Sequence, residues 1–289
     1  MLALGASDSG FESQCSDIMY ILILNFLFLA LLVNLIFYIP AFSLKSDKFT
    51  DITYSLTFIF LTSVAILLSQ NFSIENIILA VMIFVWAFRL GLFLFVRILK
   101  MKTDKRFDDV RDNFFRFGYF WLIQAFTAWV LLIPTFVFFN IGREGGNLSI
   151  LLEGIEYKTI FLMISGFVIW LAGLIIESLS DYQKQTYINN RKKDNLPRHW
   201  VDIGLWKYVR HPNYLGEVLI WIGIFIFTLS KFNILFSIIG LVSPIFIYTL
   251  IRFFTGVPQL TENSQKYFGE NPDFIEYKKK TGLIFPKIF

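Results

Sequence analysis

Seven apolar stretches alternate with polar connectors along this chain of 289 residues. They lie at about Tyr20–Ile39, Ile52–Ser69, Asn76–Ile98, Gly118–Ile141, Thr159–Ser180, Asn213–Leu229 and Asn233–Phe254. Each is near the roughly 20 helical residues that a bilayer core requires. The pattern predicts an all-α integral membrane protein with seven transmembrane helices. The sixth stretch is the shortest, and the third and fifth carry charges. Residues 1–19 are polar with a weak apolar start and lack a basic region leading into an apolar core. They are expected to form a mobile N-terminal tail rather than a signal peptide. No long Pro- or Ser-rich linker and no convincing internal repeat follows, so 20–289 reads as a single seven-helix domain. The lack of repeated halves argues against a transporter.

Loop charges orient the bundle. Lys100, Lys102, Lys105, Arg106, Arg111 and Arg116 lie between the third and fourth stretches. Lys184, Arg191, Lys192, Lys193, Arg198, Lys207 and Arg210 lie between the fifth and sixth. Lys45, Lys48 and the tail "EYKKKTG" fall on the same side, whereas "REGGNLSILLEGIEYK" and "SKFN" face the other. The excess of positive charge on one side predicts an N-terminus outside and a C-terminus in the cytoplasm. Gly145–Gly146 and Asn147 mark a turn on the outer side.

Composition agrees: hydrophobic residues make up 56% and charged ones 17%, with mean hydropathy +0.61, outside the range of soluble domains. The 35 phenylalanines, with many Ile, Asn and Lys, suggest an AT-rich bacterial genome and hence a multi-pass protein of the bacterial inner membrane. One cysteine, Cys15, excludes an intrachain disulfide, and two histidines, His199 and His211, leave little for a metal site. A net charge of +4 carries no sign of a nucleic-acid module.

Ionisable residues inside apolar spans are expensive and mark function. Here they are Arg89 and Arg97 in the third, Glu177 and Asp181 ending the fifth, Glu217 in the sixth and Arg252 near the end of the seventh. All fall in the cytoplasmic half, which predicts a polar cavity open to the cytoplasm and suited to a water-soluble, anionic cofactor. Arg97 and Arg252 are also placed to snorkel to headgroups.

The stretch "GLWKYVRHPNYLGEVLIWIG" sharpens this. Pro212 suits the first turn of a helix. The N–H groups that follow and the helix dipole favour an anion, with Arg210 and His211 beside them. Asn213, Glu217 and Trp221 recur at helical spacing on one face, with Tyr214 next to it. Such a helix can meet a phosphate or amide at its mouth and a lipid-like group deeper in.

"GLWKYVRHPNYLGE" resembles the signature of a bacterial membrane family, formerly of unknown function, related to steroid 5-alpha-reductases. "VWAFRLGLFLFVRI", "DKRFDDVR", "FWLIQAFTAWVLLIP", "ESLSDYQKQTY" and "TGVPQLTENSQKYFGENPDFIEYKKKTGLIFP" extend the resemblance from about Asp51 to the C-terminus. It implies a seven-helix fold enclosing NADPH in a cytoplasm-facing cavity beside a lipid-accessible pocket. By position, Asn213, Tyr214 and Glu217 would meet the cofactor near its nicotinamide, and Trp221 would face the substrate. Asp181, Lys184, Arg210, His211, Arg252, Arg89 and Arg97 would complete the cofactor site. The sequence departs from the steroid enzymes where a tyrosine and a glutamate polarise the 3-oxo group. Trp86 stands at the tyrosine position, as a substrate-facing residue, and Tyr54 or Asp51 is the nearest replacement for the glutamate.

The expected reaction is NADPH-dependent reduction of an enone or activated alkene in a sterol-like or polyprenyl lipid, with Glu217 holding the nicotinamide carboxamide. Two alternatives stay open. One is an S-adenosylmethionine-dependent methyltransferase of the isoprenylcysteine carboxyl type, which shares the "RHP" entry. The other is a non-enzymatic lipid-binding protein.

Overall fold

The apolar stretches fold as helices in the computed structural model, which describes residues 5–101, 110–141 and 157–287. Gly145–Gly146, Asn147, Lys102, Lys105 and Arg106, which help to orient the sequence reading, lie outside the described residues. Ten α-helices follow in order: α1 (Gly5–Ser43), α2 (Thr50–Ser69), α3 (Ile74–Met101), α4 (Phe114–Asn140), α5 (Tyr157–Lys193), α6 (Pro212–Thr228), α7 (Ile234–Gly240), α8 (Val242–Thr249), α9 (Gly256–Phe268) and α10 (Pro272–Lys280). Six helical segments are long and apolar enough to cross a membrane: Ile21–Ser43, Thr50–Ser69, Ile74–Leu99, Phe114–Asn140, Tyr157–Lys193 and Ile234–Phe268. The apolar helix α6 is shorter, at 17 residues. The chain is therefore a helical, multi-pass membrane protein.

Three elements depart from the sequence pattern. The backbone of α1 is helical from Gly5, through most of the segment expected as a tail. α5 runs on past Ser180 to Lys193, because "DYQKQTYINNRKK" contains no breaker and its basic last turn suits the negative end of the helix dipole. The expected continuous seventh span, Asn233–Phe254, is divided into α7, α8 and a π turn at Leu250–Phe254. Pro244 explains the first break: it has no N–H to give to the Gly240 carbonyl, and its ring crowds that group. In the π turn Thr255 N–H reaches back five residues to the Leu250 carbonyl at 2.9 Å.

The chain divides into two compact units, residues 1–155 with 231–240, and residues 156–230 with 241–289. In the first unit α1 to α4 pack together, and polar side chains are satisfied locally, as an apolar solvent requires. Thr53 and Thr57 hydroxyls donate to carbonyls one turn back at 2.6 and 2.8 Å. Asn34 Nδ2 bridges from α1 to Thr57 Oγ1 at 3.2 Å, and Gln124 Nε2 on α4 donates to the Thr50 carbonyl at 2.9 Å.

The second unit is organised by α5 and α6. Gly166 and Gly173 on α5 meet Gly223 and Gly216 on α6, each pair seven residues apart. A Cβ at Gly173 would lie 2.7 Å from the Gly216 carbonyl, and one at Gly216 would lie 2.6 Å from Glu177 N. Small residues let helix backbones touch where no hydrophobic effect draws them together. This glycine seam fixes the depth of α6 against α5.

Candidate functional site

The sequence "GLWKYVRHPNY" becomes a folded mouth for α6 because α5 carries it. Gly204 adopts φ +52°, and a side chain there would meet the Gln183 amide. Gln183 Oε1 accepts from Leu205 N–H at 3.0 Å, and Trp206 Nε1 donates to the Ser180 carbonyl at 3.1 Å. Lys184 Nζ lies 5.2 Å from the Trp206 ring centroid. Asp181, one turn before, is buried. Pro212 then opens α6, as its fixed φ and missing N–H predict.

The main chain of this mouth is already engaged. Arg210 N–H donates to the Gly282 carbonyl at 2.9 Å and His211 N–H to the Leu283 carbonyl at 3.1 Å. Tyr214 and Leu215 N–H groups both return to the His211 carbonyl, at 3.1 and 3.2 Å. The sequence predicts free N–H groups for an anion here. Instead the side chains are left to read it.

Those side chains are held without partners. Arg210 Nε, His211 Nδ1 and Asn213 Oδ1 are buried and have no hydrogen-bond partner among the described residues. His211 is 8% exposed. Its burial, with Lys184 and Arg210 nearby, pulls its pKa down to about 3, so the imidazole is neutral at physiological pH. Burial also lowers the Arg210 pKa, with Tyr277 opposing the shift and Arg252 adding to it. Neither Arg210 nor Arg252 has a carboxylate partner among the described residues.

A cleft of about 790 Å³ lies beside this mouth, within the range of small-molecule sites. Arg210 and Arg252 line it, with Lys266, Glu262, Gln265 and Thr261 from α9 and an apolar wall of Phe253, Val257, Pro258 and Leu283. Arg252 projects from the π turn, a kind of helix defect found often at functional sites.

Of the residues named from sequence, the second unit therefore gathers Asp181, Lys184, Arg210, His211, Asn213, Tyr214, Glu217 and Arg252 around the start of α6. Trp221 follows two turns deeper on the same helix, fully buried. The other four belong to the first unit. Tyr54 packs edge-on against Phe58, and Phe58 against the fully buried Trp86, with centroids 5.0 and 4.9 Å apart. Arg89 lies 5.4 Å from the Phe93 ring. Arg97 is paired with Asp51 at 3.1 Å.

Sequence reasoning missed several members. Gly256 accommodates the Tyr214 ring, since a Cβ there would strike its hydroxyl end; the Gly–Val–Pro turn signal could have pointed to it. Glu262 and Lys266 share one face of α9 at a spacing of four. Tyr277 and Gly282 sit in a tail that reads only as basic. The π turn leaves no mark in sequence.

The comparisons with known proteins agree in extent. The chain is 27% identical over 200 residues to the uncharacterised protein C594.04c of Schizosaccharomyces pombe, an alignment covering 60% of this chain and 50% of that protein. The chain thus spans about half the length of the curated relative it matches. No solved structure matches. The model of the family DUF1295, described as a protein of unknown function, matches residues 37–281, and the chain belongs to that family.

Proposed function

We propose that this chain is an NADPH-dependent reductase of an unsaturated, membrane-dissolved lipid, an enone or activated alkene of sterol-like or polyprenyl type, akin to the steroid 5-alpha-reductases. The observation that carries this reading is the arginine pair Arg210 and Arg252, without a carboxylate, on a cleft beside three buried polar atoms without partners. A ligand with phosphates and an amide fits that donor set. When bound, the cofactor supplies hydride to the β carbon of the substrate, and a proton completes the α carbon.

The chain's own residues have separable tasks. Arg210 and Arg252 hold phosphate oxygens bidentately. His211, being neutral, offers Nδ1 as a hydrogen-bonding group rather than a charge. Asn213 meets an amide through Oδ1, Glu217 one turn on holds the nicotinamide carboxamide, and Trp221 borders the lipid. Tyr54 is the candidate donor to the substrate oxygen; its phenol can do so without charge.

The remaining reading follows from loop charge. α6 measures about 25 Å at 1.5 Å per residue, slightly short of a hydrocarbon core of about 30 Å. Counting it as a span gives seven, an N-terminus outside and a C-terminus in the cytoplasm, in a bacterial inner membrane.

Retention of NADPH against S-adenosylmethionine by the purified protein tests the proposal. NADPH retention weakened by Arg210→Ala supports it. Retention of S-adenosylmethionine instead would make the chain a methyltransferase, and retention of neither, with bound lipid, a lipid carrier.

A further inference from the structure

We infer that the C-terminal segment Thr281–Leu283 is the positioning element of the anion site, with Gly282 and Tyr277 as its positioning residues. The inference rests on the proposed reading only for the identity of the anion. Val209 and Gly282 form a parallel bridge. Gly282 N–H donates to the Tyr208 carbonyl at 3.2 Å, and the carbonyls of Gly282 and Leu283 take the N–H groups of Arg210 and His211. These are the two residues whose side chains present buried polar atoms without partners. With no carboxylate to orient the Arg210 guanidinium, its main chain aims it, and the strap fixes that main chain. Leu283 is itself part of the cleft wall.

The strap is anchored at its start. The Tyr277 hydroxyl donates to the Trp206 carbonyl at 2.7 Å, with the Val201 carbonyl 3.2 Å away. Thr281 Oγ1 donates to the Tyr277 carbonyl at 2.7 Å. Only glycine fits at 282, because a Cβ there would strike the Phe285 carbonyl. Binding that depends on a preset arginine gains from such anchoring, since less ordering is left for the ligand to impose.

The test uses the full-length protein in detergent, with inorganic pyrophosphate and NADPH as probes and Tyr277→Phe and Gly282→Val as variants. The wild type should protect the Arg210 and His211 amides from hydrogen exchange. Tyr277→Phe should weaken pyrophosphate binding by up to about tenfold, the scale of one hydrogen bond, and the loss should vanish in an Arg210→Ala background. Gly282→Val should do more, and if it does not fold, Tyr277→Phe decides alone. Equal affinity in wild type and variants, or the same loss with and without Arg210, overturns the inference. Strap-dependent pyrophosphate binding without NADPH binding sustains it and removes the cofactor reading. Failure to bind either probe removes both.

Discussion

The two units treat their cations differently. In the first, Arg97 faces Asp51 at 3.1 Å, Arg111 faces the buried Asp47 at 3.7 Å, and Lys45 pairs with Asp112 at 2.9 Å. Lys231 lies 3.9 Å from Glu75, donates to Asn76 Oδ1 at 3.0 Å and rests 4.4 Å from the Phe138 ring centroid. In the second unit Arg210 and Arg252 share a cleft with no carboxylate within ion-pair distance among the described residues. Positive charge gathered at low dielectric repels itself unless something neutralises it. Where the chain supplies the counter-charge the arrangement is architectural, and where it does not, an anion from outside is the natural complement.

Removing a carboxylate from the first unit should produce the largest effect. Asp47→Ala leaves Arg111 buried without its partner and should lower stability by about 3 kcal/mol while leaving NADPH affinity of the folded fraction unchanged. Thermal melting and cofactor titration on the same sample check both halves; an unmoved melting curve would make the pair incidental. In the second unit the same logic runs in reverse. Arg252→Ala should raise the NADPH dissociation constant by about tenfold or more, for a charge-assisted contact of roughly 1.5–3 kcal/mol. Thr261→Asp, which adds the missing carboxylate to the cleft, should do the same by competing for the arginines. Unchanged titrations in both variants would take the arginines out of the site.

A smaller effect separates the units by pH. His211 has its pKa lowered from 6.5 to about 3 in the fold. Between those values the unfolded chain holds a proton that the folded chain does not, so stability rises with pH across the window and is complete above about 6.5. From about pH 7.5 to 5.5 this residue should remove about 1.4 kcal/mol of stability, and His211→Gln should flatten that slope. A slope equal in the two proteins would assign it elsewhere. The smallest effect belongs to the exposed pair: Lys45→Ala should leave melting unchanged within error.

The sequence carried the helices well because lipid imposes length and apolarity directly. α2 and α6 start and end within two residues of the apolar pattern. It carried the mouth of α6 because Pro212 and the Asn213–Glu217–Trp221 spacing are local signals. What it could not carry is long-range pairing. That Asp51 occupies Arg97, or that Gly282 and Leu283 take the N–H groups of Arg210 and His211, depends on residues tens of positions apart. The glycines of α5 and α6 were visible as letters, but their meaning as a contact needed both helices. The break at Gly240 was legible in Pro244, whereas Leu250–Phe254 offers no residue type that demands a wider turn.

That wider turn has a consequence for how the chain tolerates change. A π turn is an α-helix carrying one surplus residue. Deleting any one residue from Leu250–Phe254 would let the helix heal into ordinary register and swing all that follows by about 100°. Arg252 and the α9 pair Glu262 and Lys266 would then no longer line one cleft. Substitution of the exposed Phe253 or Phe254 would cause no such rotation. At this point binding is encoded in the count of residues rather than in their identity, and a single-codon deletion would abolish what many missense changes leave intact.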